Sequence, residues 1–432
     1  MGSKAEGPPG LLASALRLGA GLAGSQALLL AATPLWSRQF AAADFAILGL
    51  WSAVAAVVSV LVSLRYETQL MLPACEREAA ALYRLTAGVI AGVAGLLLLF
   101  SLAWSLAAPA AWQQAVGLAA LGLYLPLAVL AGAASAWMGL GLNWLNRRQA
   151  YAAINRARLS MALTVVVLAC LAGALSFEAG LWLAHGIGAA VGALITAAAL
   201  RGSVAASLAA ASGAPAPQLA DDWRAVARRH RDAPLFLWPA ALMDILTQQL
   251  PVLLALNWFG TTAAGQFTLA WRSLALPLFM ASAAIGAVFF QRFARLADQP
   301  LVARQLLLRV WRWGGLGAVL LSLLMAWLAV PLFVFVFSPA WREAGVMAAW
   351  MSPMLALMAL SSATSGSLLV LGGQRLAPFF GLALLFLRPL SFWLASRSDG
   401  DLLLALQCWA LAEASVILIY NAVVWRRLMR RI

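Results

Sequence analysis

The stretch PLFLWPAALMDILTQQLPVLLALNWFGTTAAGQFTLAWRSLALPLFMASAAIGAVFFQRFAR, Pro234 to Arg295, decides the reading of the fold. Two apolar runs flank a short turn placed at Asn257 to Gly265. Each run exceeds about 20 residues, enough at about 1.5 Å per residue to cross about 30 Å of hydrocarbon, so the stretch reads as a transmembrane helical hairpin. Asp244 falls deep in the first helix and Arg272 well inside the second. An isolated charge at such depth costs on the order of 3 kcal/mol, so both side chains should face protein or water and not lipid. Pro239, Pro251 and Pro277 interrupt the backbone ladder, which spanning helices tolerate where a neighbour or a wet cavity satisfies the freed carbonyl. The expectation is a water-accessible cavity lined by charge.

The rest of the chain resembles this hairpin in composition. Over 432 residues it is 64% hydrophobic and 10% charged, with mean hydropathy +0.90, which excludes a soluble globular protein. The fold class expected is all-α, a polytopic membrane protein. Apolar runs place twelve helices near 11–36, 44–64, 85–107, 113–142, 159–176, 179–200, 234–257, 266–290, 314–337, 344–371, 376–395 and 401–424. The polar opening Met1 to Gly10 passes straight into the first run without a small-residue cleavage pattern, so no removable signal peptide is expected. Cys75, Cys170 and Cys408 have no metal-type spacing with His185 or His230, so neither disulfide nor metal is expected.

A net charge of +14 could suggest nucleic acid, but its distribution points to membrane topology. With the N-terminus inside, all but five of the 29 Lys and Arg residues fall on inner connections; Arg38, Arg342 and Arg397 lie outside and Arg272 and Arg388 within the membrane. Both termini are therefore expected in the cytoplasm. Residues 201–233, Ala/Ser/Pro-rich and then basic, form the one long linker and suit an anionic inner leaflet. It separates an N-terminal six-helix lobe, 1–200, from a C-terminal one, 234–432, related by an axis along the membrane normal.

Several segments carry a family resemblance. Arg65, Tyr66 and Glu67, followed by Leu72 and Pro73, resemble the RYE…LP signature of bacterial polysaccharide exporters. Trp144, Arg147, Arg148 and Tyr151 are similar to a further stretch of that family. The run from Asn257 to Ala294 resembles its pattern nearly throughout, and PLFVFVFSPAWREAG resembles its outer turn, with Ser338 where the family has Gly. The resemblance covers almost the full length and points to Wzx-type flippases of the multidrug/oligosaccharidyl-lipid/polysaccharide (MOP) superfamily. It implies two six-helix lobes around a central cavity. It also implies a substrate, an undecaprenyl-pyrophosphate-linked oligosaccharide repeat unit moved across the bacterial inner membrane, and as further partners membrane lipids, a polysaccharide polymerase and a chain-length regulator.

Charges inside the spans allow two readings. Asp244, Arg388 and Glu413 can neutralise one another as buried pairs. Alternatively the roles divide: Arg17, Arg272 and Arg388, with Arg65 at a helix end, hold an anionic headgroup, because guanidinium grips phosphate bidentately and stays charged. Asp244 and Glu413 would then bind a coupling H+ or Na+, burial favouring the protonated carboxyl in one state. For Arg17 the plain alternative is a side chain snorkelling to the headgroups, and for Arg65 an ion pair with Glu67. The ion gradient serves as energy source, with no cofactor, and the default state is a monomer. A related multidrug or cation exporter is the nearest rival. An enzyme such as a polysaccharide polymerase or ligase is disfavoured, because every outer connection is short and no nucleophile, base or metal set is clustered.

Overall fold

The computed structural model describes residues 11–115, 117–201, 204, 223–296, 298–398 and 400–432, without the side chains of 11–18, 20, 115, 374 and 377. Every regular element described is helical. The long helices are α1 (Leu11–Gln39), α2 (Ala42–Ser63), α3 (Glu76–Ala107), α4 (Leu125–Arg147), α5 (Tyr151–Ala174), α6 (Gly180–Leu200), α7 (238–259), α8 (261–295), α9 (Pro300–Phe337), α10 (Arg342–Thr364), α11 (Ala377–Arg397) and α12 (Leu402–Met429). Among the described residues, 10 helical stretches are long and apolar enough to cross a membrane. One of them, Ala233–Arg295, is two helices, which makes eleven of the twelve spans expected; α1, over the first expected run, is helical but is not among those stretches.

The turn expected over Asn257 to Gly265 is a single residue. Gly260 has φ 85° and ψ 174°, with helical backbone on either side. That region of backbone space is essentially restricted to glycine, so one glycine suffices to break a 58-residue helical run. Ser338, between α9 and α10, adopts nearly the same conformation, φ 113° and ψ 165°, without being glycine. This is the position where the resembling family carries Gly, and the serine stores strain on the order of 1–3 kcal/mol.

Several helices run further than the apolar runs that announced them. α3 begins at Glu76 instead of 85, α5 at Tyr151 instead of 159 and α9 at Pro300 instead of 314. Hydropathy marks the hydrocarbon slab, whereas a helix continues into the headgroups on Ala, Arg and Gln, which are good helix formers there. The connection between α4 and α5 is accordingly a tight reversal. Gln149 takes φ 54°, and Ala150 N–H donates to the Leu145 carbonyl at 2.9 Å, so α4 ends and α5 starts at Tyr151.

The chain clusters into two compact units, one of Met1–Gln39 with Leu50–Ile245, the other of Phe40–Gly49 with Leu246–Ile432. In the first, α1 and α6 both pack on α5, and α4 lies against α3 and α6. Glycines allow the close approaches: Gly188 has no room for a Cβ beside Val165, nor Gly192 beside Met138, so both serve helix packing. In the GAGLAG stretch of α1, Gly21 lies against Asn155, while Gly19 and Gly24 face open space. In the second unit α9 packs on α10, and α12 on α10 and α11.

The first two turns of α2 belong to that second unit. Phe45 meets Trp341 edge-on with ring centroids 4.8 Å apart, and Gly265 backs onto the Ala42 carbonyl so closely that any Cβ would collide. Gln266 ties the same corner: its Nε2 donates to Ala340 O at 2.8 Å and its Oε1 accepts from Ala344 N at 3.0 Å. The motif residues Gly265, Trp341, Ala344 and Gly345 are thus packing residues, Gly345 lying against the backbone of Val330.

Candidate functional site

Proline chemistry builds the tightest charged site. Pro251 has no N–H, so the carbonyl four residues earlier, that of Thr247, loses its helical donor. Arg388 of α11 supplies the replacement, its Nη1 donating to Thr247 O at 2.6 Å. Its Nε and Nη2 donate to the two oxygens of Glu413 of α12, each at 2.9 Å, a bidentate fork. Trp409 Nε1 donates to Glu413 Oε2 at 2.9 Å, and the Arg388 guanidinium lies 5.4 Å from the Trp409 ring centroid. Trp409 in turn stacks on Trp271 at 5.3 Å and meets Phe267 and Phe392. The Arg388 and Glu413 side chains are only 5% and 3% exposed. The geometry is mutual neutralisation: both carboxylate oxygens and three guanidinium nitrogens are engaged inside the second unit.

The other mid-helix charges sit differently. Asp244 of α7 is exposed and belongs to the first unit. Arg272 of α8 is half-buried, follows the stacked Trp271 and belongs to the second. Arg17 lies in α1, but its side chain falls outside the described residues. Of the expected site residues, Arg388 and Glu413 come into direct contact inside the spans.

Arg65 lies at the end of α2 in left-handed backbone, φ 60°, where it caps a short 3-10 turn, Tyr66–Met71. Its Nη1 is 3.4 Å from Glu67 Oε1, so the ion pair offered by the sequence is present; Glu67 is largely buried while Arg65 is 37% exposed. Burial also pushes the Tyr66 hydroxyl pKa above its ordinary value. Arg147 holds this loop from α4: it donates to Leu70 O at 3.0 Å, to Pro73 O at 2.9 Å and to Glu76 at 3.2 Å, while Arg148 reaches the same Glu76 at 3.1 Å. Two motifs far apart in sequence therefore form one loop-clamping cluster. Glu78, two residues along α3, takes Arg229 at 3.0 Å and the buried His230 at 3.3 Å. The far end of the linker is thereby fastened to the first unit; residues 202–203 and 205–222 of the linker lie outside those described.

Sequence reasoning missed the Thr247 carbonyl, Trp409 and Gln266 as site-building groups. The first was available from the spacing to Pro251. At the end of α10, Thr364 donates to Leu360 O at 3.2 Å and the adjoining Ser365 to Ser362 O at 2.8 Å. No group of three or more metal-ligating side chains occurs among the described residues.

These features define a multi-pass helical membrane protein with charge built into its spans. No protein-family profile and no curated protein matches the sequence. Among solved structures, the chain is similar to an inward-facing multidrug resistance MATE family transporter of the MOP superfamily, at TM-score 0.66 and 14% identity over 97% of this chain and 98% of that one. It is also similar to the lipid II flippase MurJ in its inward closed conformation, at TM-score 0.65 and 10% identity over 96% and 89%. A third likeness is to the MATE transporter ClbM in complex with Rb+, at TM-score 0.53 and 16% identity over 96% and 93%. The chain has the fold shared by these MATE transporters and the MurJ flippase.

Proposed function

We propose that the protein is a flippase of the Wzx type. It moves undecaprenyl-pyrophosphate-linked oligosaccharide repeat units across the bacterial inner membrane by alternating access, coupled to counterflow of H+ or Na+. The observation that carries this reading is the exposure of the Asp244 side chain within a spanning helix, in contrast to the buried Arg388 and Glu413. An exposed carboxylate within a spanning helix is affordable only beside water. Arg272, with Arg17 and Arg65, takes the pyrophosphate; Asp244 carries the coupling ion; the Arg388–Glu413 pair holds α7, α11 and α12 together. The likeness to a lipid II flippase, and the sequence motifs shared with polysaccharide exporters, support a lipid-linked substrate. The protein acts as a monomer and hands its product to a polymerase and its chain-length regulator.

The test is flipping of one defined undecaprenyl-pyrophosphate oligosaccharide in vesicles, with and without each ion gradient. Asp244→Asn and Arg272→Ala should each abolish flipping while leaving folded protein in the membrane. Wild-type rates in both variants overturn the assignment. The likeness to MATE transporters, one of them with bound Rb+, favours a second reading, export of a cationic drug. Gradient-driven dye export by the same vesicles, with no flipping, would establish that reading instead.

A further inference from the structure

The second unit contains a cavity of about 490 Å³ walled by α8, α9 and α10 and separate from the Arg388–Glu413 site. Its lining is apolar save for Arg309, at the Pro300 end of the lining stretch of α9, and Ser282, which spends its hydroxyl on Ala359 O at 2.6 Å. Arg309 and the lining Trp313 are both exposed. Among the described residues no carboxylate pairs with Arg309, nor with Arg312 one turn on. The slot stays open because α9 carries small residues there: a Cβ on Gly317 would meet nothing within 4 Å.

Depth along α9 identifies what fits. Counted back from the outer turn at Ser338, Arg309 lies 29 residues away, about 43 Å at 1.5 Å per residue. That equals the headgroup-to-headgroup thickness of a bilayer, about 40–45 Å. Leu321, which lines the far end, lies about 25 Å from the same turn, near the midplane. The slot therefore runs from headgroup level to mid-bilayer, one leaflet deep. Its shallow end carries an uncompensated guanidinium, which matches a phosphodiester, and an exposed indole at interface depth.

The geometry points to a binding site for one anionic glycerophospholipid of the surrounding leaflet, its phosphate on Arg309 and one acyl chain along Gly317 to Leu321. This site is independent of the transported substrate. Native mass spectrometry of the purified full chain, titrated with phosphatidylglycerol or with phosphatidylcholine, tests it. Wild type should retain one phosphatidylglycerol with roughly tenfold preference over phosphatidylcholine. Arg309→Ala should cut that preference at least fivefold, and Gly317→Leu, which fills the slot, should lose both lipids. Gly315→Leu, whose Cβ also enters open space but lies off the slot, should bind as wild type, and circular dichroism should find all variants equally helical. Equal retention of the two lipids by wild type, or unchanged retention by Gly317→Leu, overturns the site. Retention of undecaprenyl phosphate with none of phosphatidylglycerol overturns its independence from the substrate.

Discussion

The protein uses arginine–carboxylate contacts in two regions with opposite consequences. In the second unit Arg388 and Glu413 form a bidentate pair with side chains 5% and 3% exposed, closed by Thr247 O and Trp409. In the first, Arg147 and Arg148 share Glu76, which is 49% exposed, and Arg147 spends its remaining donors on loop carbonyls. In the buried pair each charge exists only because the other is there, since either alone would sit unsolvated at low dielectric. In the exposed cluster water can replace any carboxylate, and the energy lies in the two carbonyl hydrogen bonds that hold the loop.

The largest effect should come from breaking the closed pair on one side. Arg388→Ala or Glu413→Ala should each destabilise the purified protein by about 3–5 kcal/mol, because an uncompensated charge stays buried. The combined change to Met and Leu should recover most of that loss. Additive melting shifts in the double variant would show that the two residues do not form a unit. Arg147→Ala comes next, at about 1–2 kcal/mol, from two lost carbonyl hydrogen bonds; trypsin cleavage at the neighbouring Arg65 should quicken in parallel. Arg65→Ala should be smallest, below about 1 kcal/mol, as befits a partly exposed pair. A larger melting shift there than for Arg147→Ala would reverse the ranking of the two regions.

What could be read in advance follows from the range of each force. The hairpin 234–295 was legible because hydrocarbon thickness is a length, and length can be counted in a sequence. Its turn was legible only approximately: a window from Asn257 to Gly265 narrowed to Gly260 once the backbone angles were known. Pro251 announced that a carbonyl would need a partner, but not that Arg388, distant in sequence, would supply it. The motif around Arg65 and that around Arg147 each looked local, and their joining across Leu70 and Pro73 is a tertiary fact.

The sequence by itself determined that this chain crosses a membrane repeatedly as helices and that several charges lie within the spans. Both conclusions rest on transfer free energies that each residue carries with it. Only the tertiary structure decided which charges are buried and which are exposed. Whether Glu413 meets Arg388 depends on which helix faces come together, and a helix's own composition does not specify its neighbour.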